Sequence, residues 1–484
     1  MAQKANQPSF KILICLIEIW DAGDSTDLAA TPEAPMMITE VERIEINDTY
    51  KNLFCKAKVD FPRGTIIRKT ITEGNLLSNQ VTANIDDVGV LETTRTNTFR
   101  ASVKNFEVGQ RIRIRLGYTT DPNIAKHGKT ASPYSIFNDP TLRRQYIQAM
   151  TPAQNDGSQA IMFDGYITKC SIDEPISLEC EDLASKLKKI SCPPISPSQS
   201  WTVNDFFAEG GKWDLLKKSG LKLHPDTKDN EIKLGKIQVP EGFTVADVLT
   251  TWAKNAHLYS FIRPDNNGYP CLEVGRAYFS NPGKDNIMRK GSPVDIDFAY
   301  NVADNNLTMM ETDKAFLAVS ASCWETIDGK GKKYSITIRK NPEYDSSDPK
   351  SKPYQILNET RISKKAMRAG ATSLTNTNQR VDLSTYTIIP YFSSHIGISH
   401  EDLQEEAIKY FESYNCNGVE GTLTLFGDFN LKSATKVHLN DKRFPAKNGY
   451  YLVDEVTTEF GVKGYRQTIK LPYCISRDAK NKEK

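Results

Sequence analysis

Apolar and polar residues alternate with period two along much of this chain. The alternation predicts short strands in two clusters that flank a region of helical spacing. The stretches E-V-E-R-I-E-I-N-D at 40–48 and K-N-L-F-C-K-A-K-V-D-F-P at 51–62 read as strands, the second ended by Pro62 and Gly64. G-Q-R-I-R-I-R-L-G-Y at 109–118 places Ile112, Ile114 and Leu116 on one face and Arg111, Arg113 and Arg115 on the other. The pattern breaks at 119–158 and resumes with I-M-F-D-G-Y-I-T-K-C and P-I-S-L-E-C-E-D, so 119–158 reads as an insertion between two strands. Near the end, residues 421–471 form four alternating segments separated by turn residues. Leu423 and Leu425, Val437 and Leu439, and Ile469 and Leu471 share one face, which predicts a half-buried antiparallel meander able to close into a small barrel.

Helical spacing is confined to a few places. Asp139-Pro140 is an N-cap and N1 pair that opens an amphipathic helix near Met150. A short helix over 183–189 ends before Pro193-Pro194. Thr244 with Asp247 makes a capping box for a helix striped by Val245, Val248, Leu249, Trp252 and Ala256. Residues 258–263 and 270–274 then read as a hairpin, as do 316–324 and 334–339 around Asp328-Gly329. The polar, proline-punctuated 341–352 reads as a loop. Ser399 with Asp402 caps a last helix striped by Leu403, Ala407, Phe411 and Tyr414 and ended at Asn417-Gly418.

Composition narrows the function. At 484 residues the chain is too long for one core and predicts three or four domains. Its 39% hydrophobic and 25% charged residues describe an ordinary globular protein, and a net charge of +2 argues against a dedicated nucleic-acid binder. No apolar run approaches the roughly 20 residues of a membrane span. Residues 10–20 are apolar after a lysine-containing leader, but Glu18 interrupts the run and D-A-G-D-S-T-D is a poor cleavage context, so a buried or pairing strand is the reading. The nine cysteines include no C-x-x-C pair; Cys170, Cys180 and Cys192 stand ten and twelve apart, which suits free buried thiols better than zinc.

Catalytic constellations fail one by one. Gly128-Lys129-Thr130 lacks the glycine five positions earlier that a phosphate loop requires. His400-Glu401 lacks a second metal ligand, since Gln404 stands four residues on. Glu179, Glu181 and Asp182 could pair for glycoside hydrolysis, but acids leading from a strand into a helix read as caps. The histidines at 127, 224, 257, 395, 400 and 438 do not cluster. The arginine stripe suits a nucleic-acid contact or, more simply, a solvated or interface face. No residue is singled out as catalytic, cofactor-binding or metal-ligating, and no cofactor is expected.

Several segments together resemble the tail or baseplate hub family of bacteriophages and related contractile injection systems, which includes the late control gene D proteins. F-D-G-Y-I followed by I-S-L-E-C-E-D-L-A-S-K-L-K, within 163–188, is similar to the family's closing strands of a first barrel and its C-x-D-x-x-x-x-L turn into a helix. K-V-D-F-P-R at 58–63 with G-Q-R-I-R-I-R-L-G-Y resembles that barrel's earlier strands. The helix after Ser399 followed by 421–471 resembles the pattern helix, G-x-L-x-L-x-G, V-x-L, Y-x-V-x-x-V-x-x-x-F and G-x-x-x-x-L. T-V-A-D-V-L-T-T-W-A with its later hairpin resembles the small domain between the barrels. The likeness covers most of 35–475, and it departs at the long insertion and at Lys432-Ser433-Ala434, where a proline is expected near a glycine.

The resemblance implies an α+β, mainly β fold in which two small β-barrel domains flank a mixed α/β domain in a ring-forming trimer. It divides the chain into an N-terminal arm or strand (1–34), a first barrel with its insertion (35–190), a middle domain (191–310), a hairpin and linking segments contributing to the second barrel (311–398), a helix with that barrel (399–476) and a disordered tail (477–484). It implies a structural adaptor at a virion's tail tip, assembled in the bacterial cytoplasm, with no catalysis. The implied partners are two further copies of the chain, a tail tube or distal tail protein, a spike or tip protein and a tape-measure protein, with DNA only in transit through the lumen. In such a ring the arginine stripe would face a subunit or the lumen. Two other classes remain open at this point: a cell-wall glycosidase acting through Glu181, and a carbohydrate-binding surface protein.

Overall fold

The computed structural model describes residues 11–20, 28, 35–63, 65–70, 96–100, 106–128, 136, 139–150, 161–171, 175–196, 199–230, 232–235, 237–256, 258–276, 292–310, 317–327, 330–344, 347–348, 351–363, 386–392, 400–413, 418–472 and 474–478. The fold is mainly β. Its first nine strands are β1 (Ile12–Trp20), β2 (Met36–Ile38), β3 (Arg43–Thr49), β4 (Lys56–Asp60), β5 (Ile66–Thr70), β6 (Thr96–Arg100), β7 (Arg111–Thr119), β8 (Ile161–Cys170) and β9 (Ser177–Asp182). They lie side by side in the order β3-β4-β9-β8-β7-β1-β2-β5-β6. Ile44, Ile46, Val59, Ile112, Ile114 and Leu178 point into one core, as the alternation predicts.

Strand β1 is buried on both faces. Cys15, Ile17 and Ile19 join that core, while Ile14 and Leu16 pack under Tyr146 and Met150 of the insertion. A strand covered on both sides needs apolar residues at every position, which is why I-L-I-C-L-I-E-I-W lacks alternation. Of the covering helices, Pro140–Gln148 starts as the sequence predicts, and Pro122–His127, which the sequence pattern did not anticipate, starts in the same way. Asp121 accepts from the Asn123 N–H and Asp139 from the Thr141 N–H, each just before a proline at the first helical position.

The middle of the chain is mixed. After the 3₁₀ helix Leu183–Lys189 come β10 (Trp201–Thr202), helix Val203–Phe207, β11 (Lys222–Leu223), helix Pro225–Asn230, β12 (Lys233–Gly235), helix Val245–Ala256, β13 (Leu258–Pro264) and β14 (Pro270–Arg276). The Thr244–Asp247 capping box forms with both reciprocal hydrogen bonds. The expected hairpin is β13–β14, with β11 parallel to β14 on its other side. Trp201, Phe206, Phe207, Val245, Leu249 and Trp252 fill the core of this unit.

The last part contains β15 (Val294–Asp297), β16 (Val302–Met310), β17 (Leu317–Ile327), β18 (Lys330–Lys340), β19 (Tyr354–Ser363), β20 (Thr387–Phe392), helix His400–Ser413, β21 (Gly418–Phe426), β22 (Lys436–Asn440), β23 (Gly449–Leu452), β24 (Glu455–Gly461), β25 (Gly464–Leu471) and β26 (Cys474–Arg477). The expected single meander is divided between two sheets. Strands β16-β21-β25-β24 form one and β15-β22-β23-β26 the other, and Leu423, Leu425, Val437, Leu439, Ile469 and Leu471 interleave between them. Among the described residues no sheet closes into a barrel. The reason lies at β24, whose free edge pairs with β3 of the first unit, so the two β units share one thirteen-stranded sheet.

Residues 311–398 also differ from expectation. Met310 and Gly418 are paired on β16 and β21, so the chain between them is an excursion from one hairpin-like contact. Within it β19-β18-β17-β20 form a separate sheet, whose Val319, Ala321 and Ile336 pack against Leu403, Ala407 and Phe411 of helix His400–Ser413. The β17–β18 hairpin pairs Ile327 with Lys330 as predicted; its turn at Asp328-Gly329, the cap at Ser399 and the stripe residue Tyr414 lie outside the described residues, as do most of 1–34 and 479–484. Among the described residues no helix is long and apolar enough to cross a membrane.

Candidate functional site

The junction of the two β units is the most constructed surface in the molecule. Backbone pairing runs from Arg43 opposite Gly461 to Thr49 opposite Glu455. Side chains reinforce it along its length. Arg43 meets Glu459 at 2.7 Å, Thr457 and Asn47 bond at 2.9 Å, and Lys51 reaches the buried Asp454 at 2.7 Å. Beneath them Tyr465, fully buried, has Tyr118 of the first unit and Phe460 each 5.5 Å away, and the Tyr118 hydroxyl donates to its carbonyl.

The turn at Lys432-Ser433-Ala434, where the family resemblance fails, is a latch in this junction. The Ser433 N–H and hydroxyl both donate to the Asp48 carboxylate, at 3.1 and 2.9 Å, and Lys432 Nζ donates to the Met162 carbonyl at 2.5 Å. Ala434 takes a left-handed φ of 61° with no exposed surface, packed with Tyr50, Phe261 and Leu452. A proline at position 433 would lack the N–H that Ser433 donates to Asp48.

The arginine stripe corrects an expectation. Arg111, Arg113 and Arg115 face neither solvent nor a free surface: each is more than nine-tenths buried. Arg111 and Arg113 each donate from Nε and Nη2 to Asp164 at 2.8–3.0 Å, while Arg115 pairs with Glu18. Trp20 lies under the Arg111 and Arg113 guanidinium groups, and Arg111 also donates to the Leu28 carbonyl. Three buried cations on one strand demand carboxylates on its two neighbours, and β8 and β1 supply them. The register that sets Arg113 opposite Asp164 could be read only from the folded sheet.

The two units share one local feature, a glycine in a strand paired on both sides. Strand β8 carries D-G-Y at 164–166 and pairs with β7 and β9; β23 is entered through N-G-Y at 448–450 and pairs with β22 and β26. Each glycine sits where a paired strand passes too close for a side chain. A Cβ on Gly165 would lie 2.1 Å from the Glu181 carbonyl oxygen, and one on Gly449 would lie 2.7 Å from that of Ser476.

No protein-family model matches this chain, and no curated protein matches it. Among solved structures it is similar to the 43 kDa tail protein of prophage MuSo2 from Shewanella oneidensis, at 11% identity and a TM-score of 0.42 over 95% of this chain and 97% of that one. A tail protein from Neisseria meningitidis MC58 is similar at 12% identity and a TM-score of 0.42, covering 95% and 96%. The Francisella PdpA-VgrG complex is similar at 10% identity and a TM-score of 0.40, covering 97% of this chain and 60% of that one. Superpositions this loose assign neither fold nor function to this chain.

A cleft of about 1300 Å³ opens where the two β units meet the middle of the chain, lined among others by Asp48, Asp182, His224, Arg263, Lys432 and Thr435. The acids weighed for catalysis divide around it. Glu179 pairs with Lys169 and Glu181 with Lys188. Asp182 is the buried cap of the 3₁₀ helix, as the sequence predicts, accepting from the N–H groups of Cys55 and Ala184 at 3.2 Å. Of the other near-misses, His438 bonds Asp295 and Asp478 beside Tyr450, whereas His257, His395, the His400 side chain and Lys129-Thr130 lie outside the described residues. The eight described cysteines are free, and burial raises the thiols of Cys15, Cys180 and Cys192.

Burial, aided by the charges of Asp48 and Glu181, pushes the Asp182 carboxyl up to about 8 against the pull of its two N–H donors. Its folded pKa stands above the ordinary 3.8, so its contribution to stability is full below 3.8 and is lost as pH rises through about 8. Asp182→Asn, neutral at every pH, should therefore lack the fall in denaturant midpoint between about pH 4 and 8 that the parent shows. Equal slopes for the two proteins over that range would show that Asp182 is ionised throughout.

Proposed function

We propose that this chain is a structural tail hub of a bacteriophage or related injection system, working by assembly rather than by catalysis. The observation that carries the reading is the edge-to-edge joining of two β units in one chain. Three copies then supply six like units, and the ring they complete has the closure that no single sheet has. Such a ring is a platform with sixfold repetition on one side and threefold identity on the other. That suits an adaptor between a sixfold tail tube, or a distal tail protein, and a threefold spike or tip, with the tape-measure protein and DNA passing through the lumen. The sequence motifs quoted for the hub family fall on β4, β7, β8, β9 and β21–β25, the strands that build the two units. The proposed place of action is the virion's tail tip.

Size-exclusion chromatography with light scattering should give three times the chain's mass, and averaged electron micrographs should show a ring with six lobes. A monomer at every concentration, or a dimer without a central opening, would overturn the proposal. The glycosidase reading finds no support at Glu181, which is held by Lys188 beside a buried capping residue. The tryptophans at 201 and 252 are buried in the middle core rather than displayed as a sugar platform.

A further inference from the structure

His224 stands between β11 and helix Pro225–Asn230 and forms part of the cleft wall. Its backbone N–H donates to Leu272 and its carbonyl accepts from Lys228. Its imidazole is 7% exposed and does the work of a helix cap, Nδ1 accepting from the Asp226 N–H at 3.2 Å. Only a neutral imidazole has the lone pair for this.

The other neighbours pull in opposite directions: Arg263 favours the neutral ring, the nearby acids the protonated one. Arg263 on β13 brings Nε to 3.3 Å from Nε2 and Nη2 to 3.4 Å from Nδ1. Two carboxylates also face the ring, Glu273 on β14 at 3.8 Å and Asp226 on the helix at 4.0 Å. Both are engaged more closely by Arg263, at 2.6 and 2.8 Å. Asp265, after β13, contributes a further negative charge and the Pro264 backbone a hydrogen bond. A proton on Nδ1 removes the cap and sets a second cation against a guanidinium that stays charged at any accessible pH.

We propose that His224 is an acid trigger: protonation uncaps helix Pro225–Asn230 and loosens the β13–β14 wall of the cleft from the two β units. Burial, and next the Arg263 charge, lower its pKa from the ordinary 6.5 to about 4. The folded chain thus takes up the proton less readily than the unfolded one. The neutral histidine's contribution is full above 6.5 and is lost as pH falls through about 4. The device is independent of the oligomeric reading, since every group in it belongs to one chain.

The test uses the full-length chain with 13C-labelled histidine Cε1 and hydrogen exchange read by mass spectrometry. The His224 resonance should titrate near pH 4. Peptides covering 222–230 and 258–276 should lose protection at least tenfold through the same pH, after correction for intrinsic exchange, while β7 and β8 keep theirs. His224→Asn, whose amide oxygen can cap but not titrate in this range, should lack that step. A His224 resonance titrating at 6.5 or above, or the same loss of protection in His224→Asn, would overturn the proposal. Should the variant fail to fold, the titration of the parent decides alone.

Discussion

Asp164→Ala is expected to cost about 3–5 kcal/mol, because it removes the carboxylate shared by two buried guanidinium groups. Arg111 and Arg113 each make two hydrogen bonds to Asp164, and their side chains are 8% and 10% exposed. Without it, two like charges on alternate residues of β7 remain buried, Arg111 against the Leu28 carbonyl, with Trp20 offering a weaker cation–π contact. The loss should be read as a lower denaturant midpoint and as faster exchange of β7, β8 and β1 amides. Asp164→Asn keeps one acceptor and should lose less. Adding Arg113→Met to Asp164→Ala should recover part of the stability, since an apolar side chain of similar size leaves one fewer uncompensated charge. A loss below about 1 kcal/mol for Asp164→Ala would mean that water or a rearranged Glu18 satisfies the arginines.

Gly165→Ala should cost about 3 kcal/mol through a purely steric effect. The new Cβ would lie 2.1 Å from the Glu181 carbonyl oxygen and 2.7 Å from the Asp182 Cα, and both are backbone atoms that no rotamer change can move away. Strand β9 would have to shift, and β9 is the strand on which β4 pairs and from which Asp182 caps the following helix. The junction should feel this at one remove, because β4 pairs with β3 and β3 with β24. Exchange should therefore rise along β8, β9 and β4, with a smaller change at β24. A folded variant with unchanged protection would show that the strands have room the geometry denies them.

Much of the secondary structure was legible because its causes are local. Asp139 before its proline, the Thr244–Asp247 box and the Asp182 cap are satisfied within a few residues of themselves, and all three form as their spacing predicts. The inward faces of β7, β21, β22 and β25 follow from period two alone. The arginine stripe was legible as a stripe and misread as a surface. Alternation separates two faces of a strand, but it does not say whether the second face meets water or another layer. Here helices Pro122–His127 and Pro140–Gln148 and Leu28 cover it, and its charges are buried as pairs. The candidate junction was less legible still, since Asp48 and Ser433, or Arg43 and Glu459, are some four hundred residues apart.

The sequence by itself thus determined the elements: strands and helices of near-correct extent, and an insertion that stands apart from the alternation. Tertiary structure decided how the elements close. An edge strand has unsatisfied N–H and C=O groups whether its partner lies ten or four hundred residues away. Nothing in the local pattern of β24 distinguishes closing its own sheet from pairing with β3. That choice rests on long-range fit, in which the Lys432-Ser433-Ala434 turn reaches Met162 and Asp48 and Tyr465 lies against Tyr118. It turned two prospective barrels into one shared sheet.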